Sequence, residues 1–171
     1  MTPSATTETT TATPPTDQTE PQLKHVRGSG TWVGHLATEL RVRHFPPFFT
    51  GEPTAIGGDG RAPTPMEYVV AALNGCLAVV IETVATEQGV RLQALDLQAE
   101  ATMDTRGFAG TADVSPHFLD LTHHARFVTD EGDDFLPSLR QQVERRCPAL
   151  NLIKDAGVPV VLDWTVEEPT R

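Results

Sequence analysis

A chain of 171 residues, 39% of them hydrophobic, can build one domain with a true core but is short for two independent ones. Its formal charge of -10 argues against a phosphate-backbone binder: affinity for nucleic acid rests on clustered cations, and the nearest cluster here is Arg140, Arg145 and Arg146. No apolar signal-peptide core opens the sequence, so a cytoplasmic, reducing compartment is expected, with two free thiols in place of a permanent disulfide.

Residues 1–22 are rich in Thr and Pro and carry no large apolar side chain beyond the initiating Met, so the segment reads as a disordered tail ahead of a single domain over 23–171. From His25 the pattern turns extended. The segments 30–36 and 40–45, the latter Leu40-Arg41-Val42-Arg43-His44-Phe45, alternate with the two-residue period of half-buried strands, which predicts a hairpin. The stretch 46–65, punctuated by Pro and by Gly57, Gly58 and Gly60, reads as a flexible surface loop; it lacks the spacing and Lys of a phosphate-binding loop.

Thr64, Pro65 and Glu67 then form a helix-start signature: cap, first-turn proline and capping-box carboxylate. Apolar residues at Met66, Val69, Val70, Leu73, Leu77, Val80, Ile81 and Val84 recur at helical intervals up to Gly89, predicting one long core helix. Its longest apolar run, Val69 to Ile81, is short for a bilayer span and is broken by Asn74 and Gly75, so no membrane partner is expected.

Alternation over 90–103 and again over 118–128 predicts two strands of a meander, separated by a turn region from Gly107 to Pro116. Phe135, Leu136, Leu139 and Val143 predict a second helix that ends or kinks at Pro148, and 160–166 predicts a closing strand. The order of elements is that of an α+β fold.

The residues that can carry chemistry are Cys76 and Cys147. Cys76 shares the apolar face of the long helix, where a thiol is commonly simple packing, whereas Cys147 has Arg140, Arg145 and Arg146 nearby in sequence, and a cation stabilises a thiolate. A metal site is not indicated: there is no CxxC, and the adjacent His123 and His124 project to opposite faces of a strand.

The segments Gly57-Gly58-Asp59-Gly60, Thr64-Pro65-Met66-Glu67 and Ala71-Ala72-Leu73-Asn74-Gly75-Cys76, together with Cys147-Pro148, resemble the signature of the OsmC/Ohr family. The resemblance implies an OsmC-like fold, an intertwined homodimer in which two central helices per chain are wrapped by antiparallel sheets. It further implies a stress-response, antioxidant role without cofactor: reduction of organic hydroperoxides, with Cys76 as peroxidatic residue, Cys147 as resolving residue, and a dithiol reductant of the lipoyl type. The family's peroxidases carry a Glu directly after the Pro, paired with an Arg from the N-terminal hairpin. Here Met66 stands in the Glu position, Thr31 or Trp32 in that of the Arg, and the substitutes within reach are Glu67, Arg41 and Arg43. Glu67 precedes Cys76 by roughly 13 Å along the helix and on its opposite side, so within one chain it serves the cap. The rival expectations are an OsmC-like protein that binds an apolar small molecule at the dimer interface, and a dimer in which both thiols are packing.

Overall fold

The computed structural model describes residues 21–169; most of the expected tail therefore lies outside the described residues. The described strands form two three-stranded sheets.

The first sheet begins with a hairpin, β1 (Ser29–Gly34) and β2 (Ala37–Arg41), joined by a two-residue turn at His35 and Leu36; the second strand, expected over 40–45, lies earlier and the chain has left it by Arg43, at φ 52°. Both turn residues adopt left-handed backbone, φ 52° and 55°, as a twisted hairpin with so short a loop requires. A third strand, β3 (Phe48–Thr50), pairs with β2 inside the stretch expected to be loop. It is three residues long and bracketed by Pro47 and Gly51, too little to establish a two-residue period. The Gly-rich segment that follows is a closed turn, not a loose loop. Gly57 takes φ 96°, and a Cβ on Gly58 would sit 1.8 Å from the Glu52 carbonyl oxygen, so the backbone packs where no side chain fits.

Helix α1 (Pro65–Glu87) starts as its sequence predicts. The Thr64 hydroxyl accepts from the Glu67 amide at 3.2 Å, and the Glu67 carboxylate accepts from the Thr64 amide at 2.6 Å. It ends on Gly89 at φ 76°. At 23 residues α1 is longer than its apolar run suggests, and by length and composition alone it would also reach across a bilayer. Instead Leu73, Leu77, Ile81 and Val84 are buried against the second sheet and the later helices.

That second sheet is β4 (Ala94–Met103), β5 (Phe118–Val128) and β6 (Val160–Glu167), in that order. β4 and β5 are antiparallel, joined through the short helix α2 (Thr105–Ala109), which Asp104 caps and which runs into the expected turn region from Gly107. β6 lies parallel to β5, the one parallel pair among the described strands. A parallel neighbour demands a crossover, supplied by α3 (Leu136–Arg146) and α4 (Pro148–Asp155). Pro148 both stops α3 and occupies the first turn of α4, where its missing N–H costs nothing. Leu121, His123, Ala125, Phe127 and Trp164 turn inward from this sheet to meet Leu139, Val143, Leu150 and Ile153 of the helices. Full burial of each large apolar side chain contributes about 1.5–3 kcal/mol, and this is where the core lies. The first sheet has no comparable cover: Trp32 is 76% exposed, and Leu36, Phe45 and Phe48 are exposed with it.

Candidate active site

Cys76 lies mid-helix in α1, between the buried Leu73 and Leu77. Cys147 is the hinge residue between α3 and α4, extended at φ -77° and ψ 111°, and wholly buried. α1 packs against both α3 and α4, and this brings two residues 71 positions apart together, with Cys147 Sγ 3.5 Å from Cys76 Sγ. Both are free thiols; Cys76 is half-buried, the more open of the two.

Burial pushes the Cys147 thiol up to about 11, and the adjacent Cys76 adds to the rise. The amides of Leu150 and Ala149, at the start of α4, act in the opposite sense without overcoming burial. In the geometry found, Cys147 is therefore a protonated thiol lying against the sulfur of Cys76.

The guanidiniums that sequence placed near Cys147 are engaged elsewhere. Arg146 makes a two-pronged ion pair with Glu87, one prong at 2.9 Å; Arg145 donates to Gln142 at 3.0 Å; Arg140 lies over the Trp164 ring. The substitutes for the family's charged pair are also committed to other partners. Glu67 is held in the cap of α1, where the Thr64 amide keeps its carboxyl below the usual range. Arg41 pairs with Glu39 at 2.5 Å, and Arg43 sits 4.8 Å above the Phe45 ring. Met66 packs part-buried against the core and lines, with Val70, Ala71, Ala101, Met103 and Phe118, an open groove of about 460 Å³ between α1 and β4.

Sequence reading missed the buried pair beneath the helices, in which Trp164 Nε1 donates to His123 Nδ1 at 3.0 Å. His123 is fully buried on the inner face while His124 reaches Asp163 on the outer one, so the two histidines do project oppositely. The alternation of β5 put one histidine inward; its partner, 41 positions away, depended on the parallel register of β6.

A mixed α+β fold with one thiol on α1 and another at the α3–α4 hinge, 3.5 Å apart, defines the class: a protein with paired free cysteines. The family model described as OsmC-like protein matches residues 58–163, and the chain belongs to that family. Among solved structures, an OsmC-like protein from Mycoplasma pneumoniae superimposes with a TM-score of 0.70 at 12% identity, over 86% of this chain and 99% of that one. An organic hydroperoxide resistance protein from Legionella pneumophila gives 0.65 at 18%, over 86% and 99%. One from Elizabethkingia anophelis gives 0.64 at 14%, over 88% and 100%. At such identities the likeness establishes the shared fold. The search of curated proteins gave no match.

Proposed function

We propose that the chain is a cytoplasmic, thiol-dependent peroxidase that reduces organic hydroperoxides, with Cys76 as the attacking residue and Cys147 as the resolving one. The observation that carries this reading is the 3.5 Å separation of the two sulfurs. The Cys76 thiolate attacks the terminal oxygen of R–O–O–H; the O–O bond breaks, the alcohol leaves with a proton, and Cys76 becomes a sulfenic acid. Cys147 then attacks the Cys76 sulfur, its proton leaves with the hydroxyl as water, and the disulfide forms. From 3.5 Å the sulfurs close by about 1.5 Å to reach bonding distance. An external dithiol, of the lipoyl type in the family's resemblance, returns both thiols to the reduced state.

The same reading takes the active assembly to be a homodimer. The faces of the first sheet left open within one chain, including Trp32 and Phe48, favour a second copy as their cover. An opposing observation supports a second reading, in which the protein holds an apolar molecule beside Cys76. No cation acts on Cys76 from Arg41 or Arg43, and Met66 stands where a carboxylate is expected, in the wall of the α1–β4 groove.

One equivalent of cumene hydroperoxide added to the reduced protein separates the two. Simultaneous loss of both thiols, abolished in Cys76→Ser, is the result expected of the peroxidase. Thiols that stay titratable, with an apolar molecule recovered by mass spectrometry of the denatured protein, would overturn it in favour of the ligand-binding reading.

A further inference from the structure

The backbone on both sides of Cys147 is tied together by one side chain. Cys147 ends α3 and begins α4, and its extended conformation turns the chain out of the first helix and into the second. The break leaves a carbonyl behind: in a continuing helix Glu144 C=O would meet the N–H four positions on, and that position is Pro148, which has none. Asn151 supplies the missing donor. Its Nδ2 donates to the Glu144 carbonyl at 2.9 Å and to the Cys147 carbonyl at 2.8 Å, so both amide hydrogens are used across the hinge. Since both partners only accept, the orientation of the amide is fixed by its chemistry. The Asn151 backbone N–H also reaches the Cys147 carbonyl, at 3.1 Å, as the first bond of α4. One turn further on, Lys154 pairs with the Glu144 carboxylate at 2.8 Å, an exposed contact that adds little energy of its own. Glu144 on α3 is thus tied twice to α4, with Cys147 between.

We propose that Asn151 is a positioning residue for disulfide formation: by bridging the Glu144 and Cys147 carbonyls it fixes the α3–α4 hinge and holds the Cys147 sulfur 3.5 Å from that of Cys76. This role rests on the reading of Cys147 as the resolving residue. A disulfide tolerates only a narrow range of separation and dihedral angle, and at 3.5 Å the sulfurs are within about 1.5 Å of bonding. Displacements on that scale decide an intramolecular rate, which follows how often the two groups meet in a productive geometry. Without the amide the Glu144 carbonyl is left unmet unless α4 shifts to admit water, and Cys147 moves with α4. Asn151 acts on the backbone of Cys147, so its effect falls on the joining of the thiols and not on the attack of Cys76 on a peroxide.

The test compares the full-length protein with Asn151→Leu, which keeps the size of the side chain and removes both donors without adding charge. Each is equilibrated with reduced and oxidised glutathione, quenched with acid, and the Cys76–Cys147 disulfide is quantified by mass spectrometry. The equilibrium constant for disulfide formation is expected to fall about tenfold in Asn151→Leu, a shift of about 30 mV for two electrons. With one equivalent of cumene hydroperoxide, Cys76 sulfenic acid should form within about twofold of the wild-type rate and persist about tenfold longer. Asn151→Ser, which keeps one shorter donor, should lie between the two and serves if Asn151→Leu does not fold. Thr64→Ala, which loses the cap at the start of α1, should match the wild type in both measurements and so separates positioning from loss of stability. A folded Asn151→Leu with an unchanged glutathione equilibrium, an equal loss in Thr64→Ala, or a fall in sulfenic acid formation that parallels the fall in disulfide would each overturn the proposal. A wild type that joins its thiols in glutathione but not with the hydroperoxide would overturn the peroxidase reading alone, and the glutathione comparison then decides the role of Asn151. A wild type that joins them in neither overturns both.

Discussion

Trp164 Nε1 donates to His123 Nδ1 at 3.0 Å, and this bond sets the tautomer of a fully buried imidazole: Nδ1 accepts, so the proton resides on Nε2. Burial pushes His123 down to about 4, and the neighbouring His124 acts in the same direction. A histidine whose folded value lies below its unfolded one, near 6.5, leaves stability intact above that pH. As pH falls from about 6.5 towards 4, the unfolded chain takes up a proton that the folded one refuses, and stability is lost. The loss approaches about 3 kcal/mol near pH 4. Urea unfolding at pH 7, 5 and 4 should show this slope in the wild type and a shallower one in His123→Leu; equal slopes would remove His123 as its source.

The raised value of Cys147 makes disulfide formation the pH-sensitive step of the proposed cycle. Since burial is its first cause and persists when Cys76 is oxidised, the fraction of Cys147 present as thiolate rises about tenfold per pH unit below 11. After a peroxide pulse at pH 7 and at pH 9, loss of the sulfenic acid, followed by a trapping reagent, should be many-fold faster at the higher pH. A rate independent of pH would place another group in the resolving role.

Glu67 is a cap residue within its own chain. Thr64→Ala should lower stability by about 1 kcal/mol through loss of the cap. Glu67→Gln should cost less and leave the rate of Cys76 oxidation within about twofold, a change under 0.5 kcal/mol in the barrier. A tenfold fall in that rate would mean that the carboxylate reaches a sulfur in a partner subunit.

At Gly58 the Glu52 carbonyl occupies the place of a Cβ. Gly58→Ala must therefore displace backbone, and a cost of about 1–3 kcal/mol is expected from denaturant midpoints. Leu77→Ala, beside Cys76 and wholly buried, should cost about 2–5 kcal/mol by leaving a cavity. If Leu77→Ala unfolds at the wild-type midpoint, the packing around α1 is not the core described.

What the sequence determined by itself was what neighbouring residues decide. The capping box at Thr64 and Glu67, the stop at Gly89, the extent of β5 and the break at Pro148 all follow from interactions within a few positions, so the residues carry them wherever the chain folds. The Gly57-Gly58 pair reads as a flexible loop in sequence; that it is a closed turn depends on Glu52 folding back over it. β3 was illegible because three residues hold no period, and the parallel seat of β6 because direction is set by the α3–α4 crossover. The two cysteines could be picked out from the segments around them, yet their 3.5 Å approach and the Arg146–Glu87 pair belong to the packing of α1 on α3 and α4, and the seat of Arg140 over Trp164 to that of α3 on β6. Sequence spacing does not encode a distance across 71 residues; only the burial of apolar faces brings those sulfurs together.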